Sequence, residues 1–402
     1  MAGASISNFN ASFIDYLPGV VETLNDTVIV RKLARKDYKW EGANISFFVH
    51  TARNHALGYV EDGGAFPTPD KQDYVEAKAY RRFLVGAVQI TDGALANAAS
   101  TKRAAIDVTT SELRGMINGL GTFEGFMAYR NGDGSVGTVS ATSSGTTLYM
   151  DDARLMWDGA TYQEYDTTLA TNYGNFSVTS TARALSSGSS VVTVDAVADG
   201  TSTNKILWNG SLNRAITGLD AMVDDAATTF QNVNTSTYPR YTSPVLSNSG
   251  TERPLTPTMF RQMLAMISQE SGVKPPSGMT VLTNKWLGIE VEELYEPELR
   301  ITPQTKTAGI AIASFMSSFG RVNVVTDTLA PLNKMFFMDF SQIYRAVQKE
   351  LDWRRQGGEI FLRSDVSAAW KATAMEICEY FIKQRNRCGK IEDLTETETT
   401  AY

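Results

Sequence analysis

The sequence predicts an α+β fold with a projecting β-hairpin, a long helix and a small β insertion, and three stretches carry this prediction. Residues 37–91 alternate apolar and polar side chains on both sides of a turn-rich centre, which is typical of two antiparallel strands. Residues 92–135 carry apolar side chains at seven-residue intervals, which indicates one long helix. Residues 136–205 are rich in Ser, Thr and Gly, with short alternating segments between turns, which favours an antiparallel β subdomain.

Composition limits the classes of protein that the chain can belong to. A chain of 402 residues can bury the cores of two or three domains. A net charge of −7 argues against a dedicated nucleic-acid binder, although it does not exclude a protein that encloses nucleic acid without binding it tightly. Two cysteines and two histidines give neither a disulfide framework nor zinc-ligand spacing. Without a signal peptide or an apolar run of ~18–20 residues, we expect a soluble protein made in a reducing cytoplasm.

The first 36 residues predict an extended N-terminal arm. The arm ends in a basic cluster that comprises Arg31, Lys32, Arg35 and Lys36. Such a cluster is most simply solvated or paired across an interface, and a contact with phosphates is the alternative.

The predicted hairpin over residues 37–91 has a broad tip near residues 58–70. Its first strand places Ile45, Phe47 and Val49 on one face, and its second strand runs from about residue 75. The tip contains Glu-Asp-Gly-Gly followed by two prolines, which are turn signals. Because an isolated two-stranded ribbon is only marginally stable, the apolar face of the hairpin requires cover, which the resemblance described below assigns to an adjacent subunit.

The predicted helix over residues 92–135 keeps an apolar stripe despite four glycines. Some 35 helical residues would span roughly 50 Å. Each glycine costs about 1 kcal/mol relative to alanine, so we expect a bend or close packing at these positions. The glycines are Gly115, Gly119, Gly121 and Gly125.

The remaining chain alternates helices and strands. Thr256 and Pro257 have the residue types of a helix N-cap and first turn, and Gly272 marks the end of that helix. The segments MTVLT, GRVNVVT and NKMFFMD predict strands. Residues 370–385 have both helical and strand character, and the chain closes with an acidic tail.

No catalytic constellation emerges, and no cofactor or metal site is predicted. The segment GLGTFEG lacks the strand and the spacing of a dinucleotide fingerprint. The segment NGDGSVG lacks the glycine and glutamate that a calcium loop needs. Cys378 has no histidine near it in the sequence, which favours a buried thiol over a nucleophile. These absences favour a structural role over an enzymatic one.

The order of arm, long hairpin, long helix and α+β body resembles the major capsid protein of tailed bacteriophages, the Hong Kong 97-type fold. The closing segment EIFLRSDVSAAWKATAMEICEYFIKQRNRCGKIEDL is also similar to the end of that family. The resemblance implies that residues 370–385 form a strand. It also implies the following division: N-terminal arm 1–36, extended loop 37–91, spine helix of the peripheral domain 92–135, β insertion 136–205, mainly axial domain 206–339, peripheral strands and loop 340–390, and acidic tail 391–402.

The resemblance implies that the protein assembles with itself as hexamers and pentamers into an icosahedral shell. Such a shell would be built in the host bacterial cytoplasm and would enclose double-stranded DNA without sequence-specific binding. A separate scaffolding protein and a portal are implied as partners, and a decoration protein is left open. Lys71 and Lys78 lie near the tip, but the matching peripheral loop offers no asparagine, so no covalent crosslink is expected.

The same resemblance assigns two sets of candidate contact residues between subunits. The set at the tip of the extended loop is Gly58, Tyr59, Glu61, Asp62, Phe66 and Lys71. The set on the arm and the peripheral loop is Arg31, Lys32, Arg35, Arg354, Arg355 and Arg363.

Two other functions are compatible with the sequence. A cellular encapsulin-like shell would share the fold. A β-rich carbohydrate-binding or hydrolytic protein could use Trp157, Tyr162 and Tyr165 as a sugar platform, unless these aromatic side chains form the core of the insertion. Assembly state separates the shell interpretations from the hydrolytic one, because only a shell requires very large particles.

Overall fold

The computed structural model describes residues 28–37, 40–91, 102–182, 190–272, 279–295, 305–307, 310–317, 320–355, 362–363 and 369–395. Most of the predicted arm, the first ten residues of the predicted spine helix and the end of the acidic tail lie outside these ranges. Within them, no helix is long and apolar enough to cross a membrane.

The regular elements follow one another in mixed order along the chain. The helices are α1 Ile29–Leu33, α2 Lys102–Met127, α3 Leu219–Met222, α4 Pro257–Ser271 and α5 Lys285–Tyr295. The strands are β1 Arg35–Asp37, β2 Asn44–Ala52, β3 Asp73–Tyr80, β4 Arg82–Thr91, β5 Ser135–Ser144, β6 Thr147–Met150, β7 Thr161–Tyr165, β8 Asn172–Ala182, β9 Ser190–Val194, β10 Lys205–Trp208, β11 Thr229–Phe230, β12 Val233–Asn234, β13 Val245–Leu246, β14 Met279–Thr283, β15 Thr305–Thr307, β16 Ile310–Ser317, β17 Gly320–Thr326, β18 Met335–Met338, β19 Ile343–Trp353, β20 Leu362–Arg363, β21 Ala369–Ile382 and β22 Gly389–Ile391.

A five-stranded sheet and the long helix α2 pack against each other as two layers. The strand order is β1-β19-β21-β20, and β4 pairs with β21 as well. Apolar side chains of β4 and α2, among them Val88 and Leu120, pack with Trp353 of β19. A Cβ at Gly86 would lie 2.7 Å from Leu120 Cδ1, so glycine allows β4 to approach the helix closely.

A seven-stranded sheet forms the second body, in the order β13-β22-β18-β14-β17-β16-β15. Helix α4 packs on it through Phe260, whose ring centroid lies 4.7 Å from that of Phe337. The Thr256 hydroxyl accepts a hydrogen bond from Met259 N at 3.3 Å, and Gly272 ends the helix in the left-handed conformation. The predicted caps of this helix and the three predicted strands are therefore confirmed. The long strand β21 confirms the strand expected over most of residues 370–385.

The Ser/Thr/Gly-rich stretch forms a closed six-stranded barrel in the order β10-β5-β6-β9-β8-β7. Its interior includes Tyr162, Phe176 and Val192, which are continuous with the apolar core around Phe126 of α2. Tyr162 is fully buried, and its hydroxyl donates a hydrogen bond to the Leu155 carbonyl at 2.6 Å.

The aromatic residues considered for a sugar platform lie inside this barrel or against it. The ring centroids of Trp157 and Tyr162 each lie 5.3 Å from that of Trp208, in edge-on contacts. Tyr165 is buried as well. Because Tyr162 and Tyr165 are buried, the three side chains cannot together present a platform to a sugar, and the interpretation that they form the core of the insertion is confirmed for these two tyrosines.

The predicted single hairpin is divided between two sheets. Strand β3 pairs with β2, with Ala79 opposite Ile45. The strand conformation is interrupted at Arg81, and β4 then joins the five-stranded sheet beside β21. Because alternation of period two continues through both strands, the sequence could not show that they have different partners.

The base of the β2–β3 hairpin also contacts its own subunit. The ring centroids of Phe47 and Phe381 lie 5.2 Å apart, and Ala77 is fully buried near Val233 and Tyr241. The expectation that the hairpin finds no cover within its own subunit is therefore wrong at the base. The tip lacks such cover, and Phe48 and Tyr74 on the strands are also largely exposed.

The long helix is confirmed, with different bounds and with a reason for one glycine. It spans Lys102–Met127, while residues 92–101 lie outside the described ranges, and β5 begins at Ser135. A Cβ at Gly125 would lie 2.5 Å from Leu329 Cδ1, so this glycine permits close packing. At Gly115, by contrast, a Cβ would meet no atom within 4 Å.

Candidate subunit interfaces

The tip of the extended loop comprises residues 53–72, which form neither helix nor strand and connect β2 to β3. Asp70 closes its base: Asn54 Nδ2 donates to the Asp70 carbonyl at 2.7 Å, and His55 N donates to Asp70 Oδ2 at 3.1 Å. Lys71 N donates to the other carboxylate oxygen at 2.8 Å. The hydrogen bonds from Lys71 and His55 lower the pKa of Asp70.

The far end of the tip exposes large apolar side chains. Leu57 is 85% exposed and Phe66 is 89% exposed, and Tyr59 is fully exposed. A tight turn with Gly64 N donating to the Glu61 carbonyl at 2.8 Å lies between them. Burying each such side chain would contribute about 1.5–3 kcal/mol, so the tip has a strong tendency to bind another surface.

All six tip residues assigned from the sequence lie on this exposed segment. Lys71 Nζ lies 3.7 Å from Asp73 Oδ1, both largely exposed, which is a weak ion pair. The structure therefore leaves these residues accessible to another chain.

Arg31 has a different environment from the one expected of an arm residue. It lies on α1 with its side chain completely buried, and Nη1 lies 2.8 Å from Glu124 Oε2 and 3.1 Å from Glu376 Oε2. Burial alone would lower the pKa of Arg31, but Glu124 raises it above its ordinary value. Its assignment to a contact between subunits is corrected, because these charges hold the side chain inside its own subunit.

The buried charges around Arg31 extend across the sheet. Arg345 of β19 also pairs with Glu376, and the Tyr380 hydroxyl donates to Glu124 Oε1 at 3.2 Å. Glu350 lies 3.5 Å from Arg31 and 3.6 Å from Arg345. We call Arg31, Arg345, Glu124, Glu350 and Glu376 the buried charge network; it joins α1, α2, β19 and β21.

The other five arm and peripheral residues remain near the surface. Lys32 is half-buried, and Arg35 is exposed on β1, opposite Tyr344 of β19. Arg354 and Arg355 are exposed just after β19, and Arg363 is exposed on β20. Residues 356–361, before β20, and residues 364–368, after it, lie outside the described residues.

A buried carboxyl that the sequence analysis missed lies where β4 meets β21. Glu379 Oε2 accepts a hydrogen bond from Arg82 Nε at 3.1 Å, and Oε1 accepts one from Thr217 N at 2.8 Å. Burial raises the pKa of Glu379 to about 7 despite these partners. No sequence motif marks this residue, because its environment is created by three segments that are distant along the chain.

A cleft of about 710 Å³, also missed from the sequence, lies between β4, α2 and the barrel. Met116 and Leu120 of α2 and the indoles of Trp157 and Trp208 form its apolar walls. Arg82 and Arg214 line it as well. The arrangement is an open groove with apolar walls and two cations.

Metal or thiol chemistry has no visible basis in these surfaces. Among the residues that the structure describes, no group of three or more His, Cys, Asp or Glu side chains could hold a metal ion. Burial raises the pKa of both Cys378 and Cys388 to about 12, which keeps the thiols protonated at neutral pH.

Comparisons with known proteins place this architecture among capsids. The family model described as SU10 major capsid protein matches residues 94–357. The capsid asymmetric unit of cyanophage A-1(L) has a TM-score of 0.55 at 14% identity, covering 93% of each chain. A native GTA particle capsid has a TM-score of 0.48 at 8% identity, covering 92% of this chain and 91% of that one. A structure from Mycobacterium phage Bobi has a TM-score of 0.46 at 7% identity, covering 91% of this chain and 90% of that one. No curated protein matches the chain.

Proposed function

The chain belongs to the SU10 major capsid protein family, and from this premise we propose that its shell is built from hexamers and pentamers around double-stranded phage DNA. Members of this family are structural proteins rather than enzymes, and the chain associates with itself to form the icosahedral shell of a virion. The resemblance read from the order of elements is thereby confirmed.

The exposed loop tip carries the proposal about how subunits join. Its apolar side chains have no cover within the subunit, while Asp70 holds the base of the tip closed. A subunit that extends one such tip to a neighbour can close a ring, and rings of five and six can close a shell. Tyr59 and Phe66 are the side chains with most surface to bury.

The acidic balance of the chain supports enclosure without tight binding. At a net charge of −7, the subunit is expected to repel the phosphate backbone more than it attracts it. The DNA then fills the shell without adhering to its wall.

The proposal includes the partners and the place of assembly. A separate scaffolding protein would guide closure in the host bacterial cytoplasm, and a portal would occupy one vertex. The barrel is a closed unit whose interior continues into the main core, and we propose its outer surface as the site for a decoration protein if one binds.

The test replaces the loop tip without disturbing its base. Residues 56–69 are exchanged for two glycines, so that Asn54, His55 and Asp70 keep their hydrogen bonds. We expect purified subunits that melt like the wild type but form no closed particles in negative-stain microscopy, alone or with the scaffolding protein.

A milder pair of variants separates apolar contact from loop length. Tyr59→Ser with Phe66→Ser keeps the length of the tip and removes its two exposed aromatic side chains. Tyr173→Ser, at an exposed tyrosine of the barrel outside the tip, serves as the matched control and keeps normal shells. Normal shells from the double serine variant would contradict the proposal.

A further inference from the structure

The segment Asn-Gly-Asp-Gly, residues 131–134, joins the long helix α2 to the barrel and has no part in the proposed function. Helix α2 ends at Met127, and β5 of the barrel begins at Ser135. Asn131 is exposed and lines a polar cleft of about 430 Å³ between the barrel and residues 331–334. Solvent therefore reaches the Asn131 side chain.

An Asn-Gly pair can react within itself in water. The glycine nitrogen attacks the carboxamide carbon of the asparagine, a five-membered succinimide ring forms, and the amide nitrogen leaves as ammonia together with the glycine N–H proton. Water then opens the ring at either carbonyl and gives aspartate or isoaspartate. The attack is favoured because both groups belong to neighbouring residues and glycine has no Cβ to obstruct it. It requires an asparagine side chain and a glycine N–H that are both free.

Asn131 and Gly132 meet this requirement within the part of the chain that the structure describes. Neither the Asn131 carboxamide nor the Gly132 N–H forms a hydrogen bond there. Gly132 has a φ of +79°, and a Cβ on it would lie 3.2 Å from the Ile216 carbonyl oxygen. Glycine is therefore needed at this position, and it leaves the attacking nitrogen unhindered.

Two other Asn-Gly pairs of the chain are protected at the glycine nitrogen. The pair Asn118-Gly119 lies inside α2, where the glycine N–H belongs to the hydrogen bonds of the helix. In the pair Asn209-Gly210, the glycine N–H donates to Gln163 Oε1 at 3.2 Å. The asparagine of each pair is exposed, as Asn131 is. Exposure is thus common to all three pairs, and a free glycine N–H distinguishes one of them.

The adjacent pair Asp133-Gly134 is protected at the side chain instead. Asp133 Oδ1 accepts hydrogen bonds from Ser135 N at 2.9 Å and from Ser135 Oγ at 2.6 Å, and Oδ2 accepts one from Lys205 Nζ at 3.0 Å. Burial alone would raise the pKa of Asp133, but these partners lower it below its ordinary value. An ionised carboxylate is a poor electrophile, so we expect no ring closure here.

We propose that Asn131 is a site of spontaneous deamidation, at which the Gly132 nitrogen closes the succinimide ring and water opens it to aspartate and isoaspartate. The reaction does not require assembly, so it stands apart from the proposed function. Either product brings a negative charge into a cleft already lined by the carboxylates of Asp152 and Glu252.

Isoaspartate also adds one carbon to the main chain between two fixed points. On one side, the Tyr129 hydroxyl donates to Asp327 Oδ2 at 2.8 Å. On the other, Asn213 N donates to the Asp133 carbonyl at 2.8 Å. We therefore expect a subunit that has aged to melt at a lower temperature than a fresh one.

Ageing the purified subunit in mildly alkaline buffer tests the inference. Peptide mass spectrometry follows the gain of one mass unit at each asparagine, and protein isoaspartate methyltransferase labels isoaspartate. We expect conversion at Asn131 to exceed that at Asn209 by roughly fivefold, because the hydrogen bond to the second glycine must break first. Asn131→Gln should lose the signal and keep its melting temperature on ageing, since its longer side chain would have to close a six-membered ring. Equal conversion at both asparagines, or none at Asn131, would overturn the inference.

A variant on the barrel tests the protection itself. Gln163→Ala frees the Gly210 N–H, and the other hydrogen bond of Gln163, to Asn175 Oδ1, is exposed, so we expect the fold to remain. Conversion at Asn209 should rise by roughly fivefold, while conversion at Asn131 stays the same. In urea-denatured subunits we expect both asparagines to react alike. An unchanged rate at Asn209 in the folded variant would overturn the selection by hydrogen bonding on which the inference rests.

Discussion

At the scale of single residues, Glu379 is a buried group whose protonation changes near neutral pH. Its folded-state pKa of about 7 lies above the ordinary value of 4.5, chiefly because the carboxyl is buried. Between these two values the folded state holds a proton that the unfolded state has released. The stabilisation is therefore complete below about pH 4.5 and is lost as the pH rises through 7.

Glu379→Gln removes this titration. As the pH rises from 4.5 to 7, the free energy of unfolding falls in the wild type but lacks this contribution in the variant. We expect the fall to be larger in the wild type by on the order of 3 kcal/mol. Urea denaturation of unassembled subunits across that range measures the difference. Glu252→Gln, at an exposed position, serves as the control and keeps the wild-type dependence. Parallel curves for wild type and Glu379→Gln would contradict the prediction.

The basic cluster of the arm shows that the sequence alone does not reveal which charged residues are buried. Arg31 and Arg35 are four residues apart in the same basic cluster, yet Arg31 is buried and Arg35 is exposed. The difference arises because Glu124 and Glu376, which are 93 and 345 residues away from Arg31, surround only the first of them. Long-range charge partners of this kind leave no local pattern. Cys378, in contrast, is buried as its isolated position predicted.

At the scale of elements, the buried charge network fastens α1 to α2 and to the five-stranded sheet. Arg31→Met would leave the Glu124 carboxylate without its closest cation and Glu376 with Arg345 alone. Breaking one partner of a buried ion pair costs about 3–5 kcal/mol, so we expect a loss of that size in the free energy of unfolding. Chemical denaturation of the unassembled subunit measures it.

Lys36→Met provides the matched control at the rim of the same network. Its ammonium lies 3.8 Å from Glu350, and both side chains are about one-third exposed. Because solvent screens such a pair, we expect a change below about 1 kcal/mol. Equal losses for the two variants would show that burial of the network contributes nothing.

The sequence predicted elements whose ends are defined by nearby residues. It did not predict arrangements that depend on a strand or helix distant along the chain. Thr256, Pro257 and Gly272 mark α4 through capping and a left-handed end, and these requirements are met within one helix. The separation of β3 from β4 depends instead on β21, almost 300 residues later. The cleft was not predictable for the same reason, since β4, α2 and the barrel converge only in the folded chain.

At the scale of the whole molecule, the order of elements carried most of the predictive information. An arm, a loop, a helix and a body are the order expected of a capsid subunit, and the family match over residues 94–357 confirms that the chain belongs to a capsid family. The pairs of residues that meet between copies could not be derived in this way, because a single chain contains only one side of each contact. The tip residues are thus still predictions.

The net charge supports one prediction about the whole subunit. We expect purified subunits to form no stable complex with double-stranded DNA at about 0.15 M salt, because few phosphates could be neutralised. A gel mobility shift assay over a range of salt concentrations measures this. Retention of DNA that weakens steeply as salt rises would reveal a basic surface and contradict the prediction.

The barrel leaves and rejoins the rest of the chain at a single point, where Trp208 N donates to the Gly134 carbonyl at 3.4 Å. The outer turns of a unit whose two ends are adjacent can be lengthened or shortened during evolution without moving the framework on either side, whereas loss of the whole barrel would open the core that it shares with Phe126 of α2. The same property makes the barrel a graft site: a foreign domain with neighbouring termini, inserted at the exposed turn at Gly145, would be displayed once per subunit in a regular array.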